Sequence, residues 1–225
     1  MRLHRVSFLL LLFLLAACRA SPAPTTLAPV EGADTPKQAV EELIGALAAG
    51  DWQATAPYVD ETQIALLTAI EGVPASETAE MLRAGLTNQV RANFWQGFVE
   101  GFLMFSQEEA SQLLLGDPTH FEVEGLSFSA VALSLRHHPG IGSWIVRNTD
   151  GDWWVDLFAT IGPSFANPLR DWLESLPDDD NGRLIRAEMV AQEPSFTAAL
   201  TQEPLGEVSD GARFEVRLLM IEAKS

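Results

Sequence analysis

Few residues of this 225-residue chain could make or break bonds, and their spacing narrows the chemistry further. Cys18 is the only cysteine, so no disulfide within the chain and no cysteine-based metal site can be assembled. His137 and His138 carry metal-binding nitrogens, but neighbours on an extended chain point to opposite sides and no further His or Cys is close in sequence. With Pro139-Gly140 behind them they read as a solvated turn. Tyr58 is the one tyrosine, and Asp60 and His120 are the carboxylate and imidazole best placed to move a proton. The run Pro177 to Glu188 puts Asp179, Asn181, Gly182 and Glu188 at the third, fifth, sixth and twelfth places of a calcium-binding loop. Its first place, normally a ligating Asp, is Pro177, which leaves an acidic turn as the expectation. No Ser-His-Asp set, phosphate-cradling glycine loop or zinc spacing is present. The residues therefore point to no catalytic group, no metal and no cofactor.

The element that would position most of these side chains runs from Ser143 to Phe158. Two alternating apolar runs, SWIVR and WWVDLF, flank Asn148-Thr149-Asp150-Gly151-Asp152, and Asp150-Gly151 suits a type I′ hairpin because both central positions need positive φ. That turn sets Val146 against Val155, Asn148 against Trp153 and Trp144 against Leu157. One face is then apolar. Ser143, Ile145, Arg147, Trp154, Asp156 and Phe158 fall on the other, so strand alternation turns Asp156 away from the apolar side.

Hydrophobic residues make up 47% of the chain, enough for one well-buried domain and an extension. The formal net charge of −17 argues against a nucleic-acid partner, which needs clustered Lys and Arg, and against electrostatic adhesion to anionic lipid. Membrane attachment would have to be covalent or hydrophobic.

Arg2, His4 and Arg5 precede an unbroken apolar run from Val6 to Ala17, too short to span a bilayer and laid out like a secretory signal. The run ends in Leu15-Ala16-Ala17-Cys18, which resembles the lipobox of bacterial lipoproteins. The resemblance implies a signal peptide over 1–17, a lipidated Cys18 and an extracytoplasmic chain anchored to the cell membrane or outer membrane. Several acyl chains make such an anchor stable. Residues 18–34, rich in Ser, Pro, Ala and Thr, bury too little to order themselves and read as a flexible tether.

Thr35-Pro36-Lys37-Gln38 is a helix start, with an N-cap Thr, Pro in the first turn and a Gln three residues after the cap. Val40, Leu43, Ile44 and Leu47 form its apolar stripe and Gly50 its stop. A second short helix passes through Trp52 and Tyr58, and Glu61 to Ile70 continues helical. A long helix is expected from Glu77 to Phe105, broken near Asn93, with Gly97 and Gly101 four apart for a close approach. A capping box at Ser106 to Glu109 starts another, ending at Gly116-Asp117-Pro118. Strand patterns then cover His120 to Glu124 and Ser127 to Arg136.

The opening pattern TP..AV..L..AL..GDW.A...Y.D, followed by helices and a meander closing on DGDWWVDLF, resembles the NTF2-like superfamily over 35–161. That implies an α+β cone, with N-terminal helices on a curved antiparallel sheet. It also implies a pocket on the concave face, with Trp144, Val146, Trp153, Val155 and Leu157 on the sheet side and Tyr58, Phe98 and Phe102 opposite. Ketosteroid isomerase-like members hold an Asp base and a Tyr or acid donor there, a set these residues do not supply. Residues 162–225 depart from the small family members. A helix from Asn167, further helical stretches and a last strand over Arg213 to Ile221 make this an α/β extension packed on the domain. The expectation is a non-catalytic lipoprotein that binds a small apolar ligand in the cone, or, if the cone is filled, one that presents a surface to another envelope protein.

Overall fold

Thr35 starts the first helix as its residues dictate. Its Oγ1 accepts from the Gln38 N–H at 3.2 Å, Pro36 occupies the first turn, and α1 (Pro36–Ala49) ends at Gly50 with φ +68°. The structure, a computed structural model, describes residues 32–106, 113–135, 138–201 and 210–225, with only the backbone given for 102–106 and 138–141. The leader, Cys18, most of the tether, His137, the 106–109 capping box and the Phe102 and His138 side chains lie outside that description.

After a single 3₁₀ turn (Ala56–Tyr58) come α2 (Glu61–Ala69), α3 (Ala75–Ala84) and α4 (Asn88–Ser106). Asp60 caps α2 by accepting from the Thr62 N–H at 2.9 Å. The long helix expected from Glu77 breaks at Gly85, not near Asn93. Gly85 has φ +83°, a backbone that ends a helix. Gly97 and Gly101 serve no close approach, since a Cβ at either would meet nothing within 4 Å. Among the described residues no helix is long and apolar enough to cross a membrane.

Four antiparallel strands follow in the order β1 (Leu113–Val123), β2 (Leu126–Leu135), β3 (His138–Thr149) and β4 (Asp152–Val155). The loops Glu124-Gly125 and Asp150-Gly151 have positive φ at both positions, as a type I′ turn requires. Gly116-Asp117-Pro118 does not end a helix but lies inside β1, at a register shift between Leu115 and Pro118. A proline is tolerated there because β1 is an edge strand and the bulge interrupts its ladder.

The second hairpin keeps the expected register at Val146↔Val155 and Asn148↔Trp153. Trp144, however, pairs with Val131 and not with Leu157, because β4 stops at Val155. Asp156 leaves the strand to cap α5 (Leu157–Thr160), its Oδ1 accepting from the Ala159 N–H at 2.9 Å. A local cap bond here outweighs the alternation that suggested a longer strand.

The described part of the extension is helical: α6 (Gly162–Glu174), α7 (Asp180–Ala191), α8 (Glu193–Thr201) and α9 (Asp210–Ala223). The strand expected over Arg213 to Ile221 is part of α9, so the described part of the extension is helical and not α/β. The helix buries Val216, Leu219, Met220 and Ala223, spaced as one helical stripe. An alternating strand would instead have buried Phe214, which is 58% exposed.

The fold is thus α+β, with an open four-stranded sheet covered on both faces. Val131, Leu133, Trp144, Val146 and Val155 face α1 in a core that also takes in Leu169, Leu173, Ile185, Phe196 and Leu219 from beyond Ile161. On the other face Phe128 and Ile145 meet Ala159 of α5 and Ala198 of α8. Residues Glu31–Ser225 form one compact unit with this core entirely inside it.

Candidate functional site

Two places gather the residues of interest, one on each face of the sheet. On the inner face Trp144, Val146, Val155 and Leu157 are buried in the main core, and Tyr58, Phe98 and Trp153 are half-buried against it. Phe98 meets Trp144 edge to face at 5.9 Å, and Trp95 meets Phe98 the same way at 5.5 Å. Leu157 joins the core from α5, not from a strand. The expected wall residues that are described are therefore part of the core or packed against it.

Inside this aromatic group the Trp95 indole N–H is buried without a hydrogen-bond partner among the described residues. An indole N–H in such a place ordinarily finds an acceptor. Tyr58 has its phenol held above the ordinary value, first by partial burial and then by the neighbouring Glu42 carboxylate.

Asp60 and His120, the two candidates for proton transfer, are not brought together. His120 pairs across β1 and β2 with Ser129, whose Oγ meets its Nδ1, and its ring lies 5.8 Å from Trp153 on the inner face. Asp60 instead joins a polar cluster on the opposite side of β3, through Arg147 Nη2 at 3.5 Å.

The centre of that cluster is Asp156, 2% exposed. Its Oδ1 accepts from Gln63 Nε2 and from the Ala159 N–H, both at 2.9 Å. Its Oδ2 accepts from Ser195 Oγ at 2.6 Å, and Arg147 Nη1 stands 3.8 Å away. Gln63 Nε2 also donates to Gln192 Oε1 at 2.9 Å, while Gln63 Oε1 accepts from the Leu157 N–H at 2.7 Å.

Four segments meet here: the start of α2, β3, the cap of α5 and the turn between α7 and α8. Sequence reasoning missed Gln63, Gln192 and Ser195. Only Asp156, a capping residue type before a short helical run, offered a readable signal. Chemically the group is saturated. The Ser195 proton is committed to a carboxylate whose two oxygens are already shared among three donors and a cation, the pattern of a clasp holding buried polar atoms satisfied.

The acidic run folds as a helix start. Asp179 Oδ1 accepts from the N–H groups of Asn181 and Gly182, both at 2.9 Å, and Glu188 lies within α7. Among the described residues no three His, Cys, Asp or Glu side chains cluster as metal ligands do. No protein-family model matches the chain, and neither the curated proteins nor the solved structures compared with it give a match.

Proposed function

We propose that the protein is a lipid-anchored, extracytoplasmic module of NTF2-like type, non-catalytic, that presents a surface to another protein of the cell envelope. The leader over 1–17, Cys18 and the tether to residue 34 support the anchor. One observation carries the interaction role over the ligand role: Phe98 packs edge to face on Trp144, while Trp144, Val146, Val155 and Leu157 are at most 8% exposed. A concave face filled by its own side chains leaves the outside of the domain to make contacts. The saturated Asp156 cluster supports a structural use of the polar residues. Growing cells with a clickable fatty acid tests the anchor: the wild type takes up label and Cys18→Ser does not. Label persisting in the serine variant would refute it.

The unpaired Trp95 indole favours a second reading, a small apolar ligand with one hydrogen-bond acceptor held near Phe98. Native mass spectrometry of the Glu31–Ser225 unit, purified from the envelope fraction, separates the two. The interaction reading expects no adduct that depends on Trp95. A stoichiometric small-molecule adduct that disappears in Trp95→Phe would establish the ligand reading instead.

A further inference from the structure

The helices α8 and α9 border a shallow, open groove with about 310 Å³ of free space. They run antiparallel, because Lys224, just past the end of α9, pairs with Glu193 at the start of α8 at 2.7 Å. Phe196, Val216 and Met220 form an apolar floor.

Along the rim, away from the Glu193–Lys224 pair, stand Arg213 and Arg217, one turn apart on the same exposed side of α9. Neither makes an ion pair or side-chain hydrogen bond among the described residues. Every other arginine described does: Arg83 with Asn181, Arg91 with Glu61, Arg147 with Asp60, Arg170 with Glu215, Arg183 with Asp180 and Arg186 with backbone carbonyls of α6 and its C-terminal turn. Of the carboxylates on these two helices, Glu193 and Glu215 pair with Lys224 and Arg170, while Asp210 and Glu222 make no ion pair among the described residues.

A chain with 31 acidic and 14 basic residues has carboxylates in excess, so two adjacent uncommitted guanidinium groups over an apolar trough are a specific arrangement. Arginine is the side chain best shaped to hold a carboxylate through paired N–H groups. We propose that this groove binds a single-chain acyl anion of medium length, its carboxylate held by Arg213 and Arg217 and its chain lying on Phe196, Val216 and Met220. The free volume lies at the lower end of the range for small-molecule sites, which suits one short chain and not a two-chain lipid. This site is distinct from the inner face of the sheet and does not depend on how that face is used.

Isothermal calorimetry on the Glu31–Ser225 unit, whose core is self-contained, tests the proposal with decanoate, decan-1-ol and phosphatidylglycerol vesicles. Decanoate is expected to bind at least about tenfold more tightly than decan-1-ol, a ratio set by the charge-assisted contact. The double variant Arg213→Gln/Arg217→Gln should lose that advantage while binding decan-1-ol as before. Thr197→Trp, which fills the groove from α8, should weaken both. Equal affinity for acid and alcohol, an unchanged double variant, binding to vesicles alone, or no heat with decanoate below its micelle concentration would each overturn the proposal. Both arginines are exposed, so melting curves of their variants should match the wild type.

Discussion

Asp156 takes hydrogen bonds from Gln63, Ala159 and Ser195, and Arg147 stands beside it, so one carboxylate joins residues up to 93 positions away. Replacing it by Ala leaves the Ser195 hydroxyl and part of the Gln63 amide buried without an acceptor, and Arg147 with Asp60 as its one remaining carboxylate beside the Ser195 hydroxyl at 3.5 Å. Breaking a buried charged partnership of this kind typically costs 3–5 kcal/mol, and the partial exposure of Arg147 puts Asp156→Ala near the low end, about 3 kcal/mol. Ser195→Ala removes one donor and should cost about 1 kcal/mol. Urea unfolding of both variants checks the order. Tyr58 gives a separate handle, being the only tyrosine, so absorbance at alkaline pH reports it alone. Because its folded phenol is held above the ordinary 10.0, its contribution to stability is complete below that pH and is lost as pH rises through the folded value. An absorbance midpoint above that of free tyrosine, falling back in urea, is expected. A midpoint unchanged on unfolding would show that the burial and Glu42 have no effect.

Two glycines, each within a helix, should answer alanine with opposite signs. At Gly97 a Cβ meets open space on an exposed stretch of α4, so Gly97→Ala should gain about 0.5–1 kcal/mol from helix propensity alone. At Gly182, in the first turn of α7, a Cβ would fall 2.0 Å from the Pro177 carbonyl oxygen. Backbone must move, and Gly182→Ala should lower the melting temperature despite the better propensity. A rise in melting temperature for both would mean that the 177–182 turn yields easily. The same local signals explain what could be read beforehand. The α1 start and the Asp150-Gly151 hairpin carry their own instructions in adjacent residues, and both formed as expected. Asp156 and Arg213 to Ile221 each carried two periodicities at once, and the choice was made by distant partners: Gln63 and Ser195 for the first, and the neighbouring helices packed on Val216 and Leu219 for the second. Gln192 and Ser195 could not be recognised, because nothing near them in sequence announces a carboxylate on another segment.

At the scale of the whole molecule, the residues beyond Ile161 are part of the core and not an ornament on it. Ending the chain after Ala166 removes Leu169, Leu173, Ile185, Met189, Phe196, Val216 and Leu219 from the main cluster and Ala198 from the outer face of the sheet. Such a chain is expected to show no cooperative melting and no dispersed methyl signals in a proton NMR spectrum. A sharp transition near that of the intact protein would mean that the sheet and N-terminal helices stand alone. The Gln63–Gln192 bond spans 129 positions, and Ile145 waits for Ala198 before its face of the sheet is closed. A nascent chain emerging N-terminus first therefore has an incomplete set of partners until α8 has been synthesised, and the loops to be closed are long enough to slow the search. Translation will be nearly over before native structure can lock, so on the proposed reading of the leader the chain would still be a pliable thread when it meets a secretion channel.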